Sequence, residues 1–194
     1  PNPPASQAEY EKMLRSNPQA YPRQTIVLFN LRRVMDGELA PTARLNSLQL
    51  ADQLGGDDPQ VRAQIASVLA QPQTSPEFRE AVLTYLLKKD YPDLTAYVVA
   101  ALPQLGAQTA LREEVLRWLA AHPSPAVLSE VVRLWAEEES ATGPNEPRYR
   151  AVVERVSGKD WKTALAEGVN SPEFTSRASA VEVLAKRIGQ EELR

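Results

Sequence analysis

Apolar residues along this chain recur at the i, i+4, i+7/8 spacing of amphipathic helices. After Phe78 come Val82, Leu83, Leu86 and Leu87, and after Phe174 come Ala178, Val181, Leu184 and Ile188. Both runs open on the same string, Ser-Pro-Glu-Phe, at Ser75–Phe78 and Ser171–Phe174. The string reads as a helix start. Serine caps free amides of the first turn, and proline suits position N1, where its missing N–H has no intrahelical partner. Glutamate then favours the positive end of the helix dipole.

Relaxed versions of this start occur at Asp58-Pro59, Tyr91-Pro92 and Ser124-Pro125, with the three prolines 33 residues apart. Two places past each proline stand Val61, Leu94 and Val127; six places past, Ile65, Val98 and Val131. Nine past gives Val68, Ala101 and Leu134, and ten past gives Leu69, Leu102 and Trp135. Four past gives the small residues Ala63, Ala96 and Ser129, as close helix packing would want. A second family of segments aligns on Arg44, Arg79, Arg112 and, nearly two periods later, Arg177. The repeating unit is therefore a helical hairpin with a period of about 33 residues.

The pattern predicts an all-α chain with helices over residues 6–16, 22–36, 42–54, 58–71, 76–89, 92–105, 108–121, 125–139, 146–157, 160–170 and 172–188. Gly55-Gly56, Gly106, Gly158 and Gly189 mark turns suited to the left-handed residue after a helix. Thr25–Leu31 is apolar enough to be a strand, but its continuation Arg32–Glu38 favours a helix, apolar on several sides and buried under the first repeat. The organisation expected is one continuous domain. It comprises a disordered stub (1–7), capping helices (8–40), regular repeats (41–139), a loop (140–147) and degenerate repeats with a cap (148–190).

Asp57–Ala70, through Pro59, Val61, Arg62, Ala66 and Leu69, resembles the HEAT repeat, particularly its short bacterial kind, and Ser171–Gly189 resembles it again. The likeness is good over about residues 41–138 and absent before Pro22. It implies a right-handed α-solenoid of about five antiparallel helix pairs. The motif is specific for fold and not for function. Leu94-Thr95 and Val127-Leu128 stand where the family would place Val-Arg, which leaves the concave face unassigned.

Composition narrows the field. Basic and acidic side chains number 22 and 25, for a net charge of −3, and no basic stripe is present, which disfavours nucleic acid. The absence of cysteine removes disulfides, thiolate zinc sites and thiol catalysis. No apolar run approaches the ~18 residues of a membrane helix. A start at Pro1-Asn2-Pro3-Pro4 without Met reads as the remainder after loss of an upstream segment, with a lean towards export to the periplasm or cell envelope over the cytoplasm.

Candidate chemistry is sparse. His122, the one histidine, sits at a helix end before Pro123 and reads as a dipole partner or a solvated residue. Asp57-Asp58 reads as a helix cap, and Gly55-Gly56 lacks the Lys-Ser/Thr of a phosphate loop. No catalytic, cofactor or metal residue is assigned. Trp135 and Trp161 read as core. The column holding Tyr85 and Trp118 is read as core ahead of an exposed binding surface. The column Arg44, Arg79, Arg112 and Arg177 is either a ridge for an acidic partner or a ladder tying repeats together, and the ladder is preferred. The candidate partner-binding residues are these four arginines with Tyr85 and Trp118. The expected function is a non-enzymatic interaction or scaffold domain for a protein or peptide partner. The alternatives are an enzyme or nucleic-acid module resembling HEAT-like DNA glycosylases, and the structural part of a larger exported protein.

Overall fold

The structure is a computed structural model and describes Lys12 and residues 22–105, 109–138, 145–171 and 174–191. Among these residues the fold is all-helical, with ten α-helices and no strand. The expected helix at 6–16 (apart from Lys12), the Gly106 turn and most of the 140–147 loop lie outside the described residues. The chain divides into two compact units, Pro1–Val68 and Leu69–Arg194.

The first unit holds α1 (Arg23–Met35), α2 (Pro41–Gly55) and α3 (Pro59–Ser67). Thr25–Leu31 is helical, so the strand alternative falls. Ile26, Val27, Leu31 and Val34 form the buried stripe of α1, while Leu28 stays 48% exposed, so this helix is not buried on every side. Pro41 and Pro59 occupy the first turns of α2 and α3. Asp58 caps α3 by accepting from the Gln60 amide at 2.8 Å.

Gly55 and Gly56 are not left-handed turn residues. Gly55 is the last residue of α2, and Gly56 is right-handed with φ −64°. What both positions require is room. A Cβ on Gly55 would meet the Val27 and Val61 side chains at 3.1–3.2 Å, and one on Gly56 would stand 2.5 Å from the Asp52 carbonyl oxygen.

The second unit comprises α4 (Pro76–Lys89), α5 (Thr95–Ala101), α6 (Thr109–Ala121), α7 (Leu128–Glu137), α8 (Glu146–Ser157), α9 (Trp161–Asn170) and α10 (Arg177–Glu191). Ser75 caps α4 through the Phe78 amide, at 3.3 Å, and Phe78, Val82, Leu83, Leu86 and Leu87 are all buried. The starts at Pro92 and Pro125 differ. Each makes one 3-10 turn, Pro92–Leu94 and Pro125–Val127, before α5 and α7 begin. Neither Tyr91 nor Ser124 supplies a side-chain cap; their carbonyls accept from the Leu94 and Val127 amides, each at 3.1 Å, and Thr95 Oγ1 donates to the Pro92 carbonyl at 2.6 Å.

The repeat columns carry through into packing. Ile65, Val98 and Val131 are buried, as are Val68, Ala101 and Leu134, and Leu69, Leu102 and Trp135. The small column does not behave as expected, because Ala96 is exposed and Ala63 and Ser129 are only half-buried. In the second family, Leu48, Leu83 and Leu116 are buried at equivalent places. Left-handed backbone follows two helices: Gly158 after α8, with φ 68°, and Asp90 after α4, with φ 58°. Gly189 lies inside α10.

The C-terminal helix departs most from its sequence pattern. It begins at Arg177, and Phe174 precedes it, with its ring against Gly168 of α9. Its buried residues are Ala180, Val183 and Arg187, whereas Ala178 is exposed and Val181 is 51% exposed. The reason is how α10 docks on α7. Ser176 Oγ donates to the Ser129 carbonyl at 2.8 Å, Lys186 Nζ to the Ala136 carbonyl at 2.9 Å, and Arg187 Nη2 to the Trp135 carbonyl at 3.0 Å. These bonds turn the Ala180–Arg187 face inward. Start meets start and end meets end, so α7 and α10 run side by side in the same sense.

Candidate functional site

The arginine column separates into different environments. Arg44, on α2, is 6% exposed, and its Nε donates to the Val34 carbonyl at the end of α1, 2.8 Å away. Burial lowers its pKa, and the Asp36 carboxylate partly offsets that effect. Arg79, on α4, is 7% exposed and donates through Nη2 to the Gln71 carbonyl at 3.0 Å. Arg112, on α6, pairs with Glu138 just past α7, Nη1 to Oε1 at 3.0 Å. Arg177 is exposed at the start of α10. Three of the four thus reach a carbonyl or carboxylate of a neighbouring segment, and two are withdrawn from solvent.

Around Arg112 the charges continue into a network. Glu138 Oε1 also accepts from the buried Tyr149 hydroxyl of α8 at 3.3 Å. Burial raises the Tyr149 pKa; the Arg112 charge opposes that rise and the Glu138 carboxylate adds to it. Glu113, next along α6, receives Arg148 of α8 and, at 3.0 Å, Arg117 of its own helix. The hydrogen bond from Arg148 leads the causes that hold the Glu113 carboxyl below its ordinary range. Arg148 and Glu113 both lie near the starts of their helices, and α6 and α8 pack along each other, so this pair also runs in the same sense.

Tyr85 and Trp118 are placed by different contacts. Tyr85 is half-buried on α4, with Lys89 Nζ 5.4 Å from its ring centroid. Trp118 is 8% exposed, and its indole N–H donates to Asp90 Oδ1 at 2.9 Å. His122 Nε2 stands 3.2 Å from the same oxygen, its ring lies 4.3 Å from that of Trp118, and its Nδ1 is 3.0 Å from the Trp118 carbonyl. Asp90 reaches this position because the chain leaves α4 in the left-handed region, which Asp and Asn tolerate better than most L-residues. The helix-end placement of His122 was legible in sequence, but the Asp90 contact was not. The available signal was an aspartate directly after Lys88-Lys89, where the helix ends without a glycine.

A second cluster was missed altogether. Glu146 Oε2 accepts from the Trp135 indole at 2.5 Å and from Arg187 Nε at 2.8 Å. The Arg187 guanidinium lies 5.0 Å from the Trp135 ring centroid, and Arg150 lies 5.0 Å from that of Trp161. Trp135 and Trp161 meet edge to face at 5.5 Å. Residues of α7, α8, α9 and α10 converge here, and the charges are paired inside the packing. Removing one partner of such a buried pair typically costs about 3–5 kcal/mol, so the cluster reads as a clamp among four helices.

Two open apolar grooves lie among the described residues. One, of about 420 Å³, is lined by Leu28, Leu31, Arg32, Met35, Asp36 and Gln64 in the first unit. The other, of about 580 Å³, lies between α9 and α10 over Ala166, Val169, Val181, Leu184, Ala185 and Ile188. Among the described residues, no group of three or more His, Cys, Asp or Glu side chains is placed to hold a metal ion. No helix among them is long and apolar enough to cross a membrane. The chain matches no protein-family model, and no curated protein or solved structure is significantly similar to it.

Proposed function

We propose that the chain is a HEAT-like α-solenoid of about five helix pairs, serving as a non-enzymatic interaction or scaffold domain for a protein or peptide partner. The observation that carries this reading is the same-sense packing of α6 with α8, which stand two helices apart along the chain. Helices stacked in this way, repeat on repeat, characterise a solenoid, which buries one continuous core and leaves long helical faces free to vary. The buried columns at the 33-residue period support it independently. The carboxylates that accept from the Trp118 and Trp135 indoles, Asp90 and Glu146, are also engaged by an imidazole and a guanidinium group, which suits cohesion between helices.

The test is a selection of random peptides displayed against the folded chain, followed by titration of those enriched. The expected result is a shared motif that binds saturably, one site per chain, and is recovered chemically unchanged. Failure of any peptide to bind saturably, or retention of the chain on a DNA column at moderate salt, would contradict the reading.

A further inference from the structure

We draw no further inference here: the strongest candidate, the open apolar groove between α9 and α10 over Val169, Val181, Leu184 and Ile188, is an unpartnered helix face, and nothing in the structure shows what covers it.

Discussion

Arg79 and Arg112 show how a surface-type residue comes to join neighbouring segments. Each carries its charge to an acceptor on a neighbouring segment, the Gln71 carbonyl in one case and the Glu138 carboxylate in the other. Hydrogen bonds to charged groups are worth about 1.5–3 kcal/mol each, and truncation also strands the acceptor. Arg79 is buried and contributes at that scale, whereas the part-exposed Arg112–Glu138 pair contributes about 0.2–1 kcal/mol. The double variant Arg79→Ala/Arg112→Ala is therefore expected to lose about 2–4 kcal/mol, which at this chain length lowers the melting temperature by roughly 4–16 °C. Unchanged melting in a circular-dichroism scan would leave both arginines as ordinary surface. Glu113 adds a pH dependence. Its carboxyl is held below the ordinary range, first by the Arg148 hydrogen bond, so the folded state favours its charged form. Its contribution is present at neutral pH and is lost as the pH falls through the lowered folded value. The melting-temperature gap between the parent and Glu113→Gln is thus expected to be widest near pH 7 and to narrow through the acidic range. A gap that stays constant down to strong acid would contradict this assignment.

At the scale of elements, helix ends decide more than helix interiors. Gly158 takes φ 68° with nothing within 4 Å of the place a Cβ would occupy. Gly158→Ala therefore isolates the backbone cost of a left-handed L-residue, about 1–2 kcal/mol. The expected result is a fall in denaturation midpoint with no change in m-value, and a neutral variant would show that the turn relaxes freely. Proline starts, caps and the helical periodicity made nearly every described helix legible in the sequence, because these are local signals. The face of α10 was not legible. Its Val181–Leu184–Ile188 stripe has the pattern of a buried face, yet three hydrogen bonds to α7 turn Ala180, Val183 and Arg187 inward instead. The same limit hid the Asp90–Trp118–His122 contacts and the Glu146–Arg187 pair. Both join residues distant in sequence, 28 positions for Asp90 and Trp118 and 41 for Arg187 and Glu146, and no local pattern encodes them.

For the molecule as a whole, the proposed solenoid stands on the direction of packed helices. Any two helices can bury an apolar stripe, but successive repeats must place equivalent helices side by side in the same sense. The native chain has no cysteine, so pairs of introduced thiols report this direction without background. Arg148 lies against Glu113 near the starts of α8 and α6, so helices running in the same sense bring Arg155 towards Ala120, two turns further along each. The most direct measurement is intramolecular coupling by a short thiol-specific crosslinker, scored by peptide mapping in three double variants. The account predicts efficient coupling in Glu113→Cys/Arg148→Cys and in Ala120→Cys/Arg155→Cys, and little in Glu113→Cys/Arg155→Cys. Coupling in the first variant without coupling in the second would mean that α6 and α8 do not run in the same sense, and would contradict the solenoid.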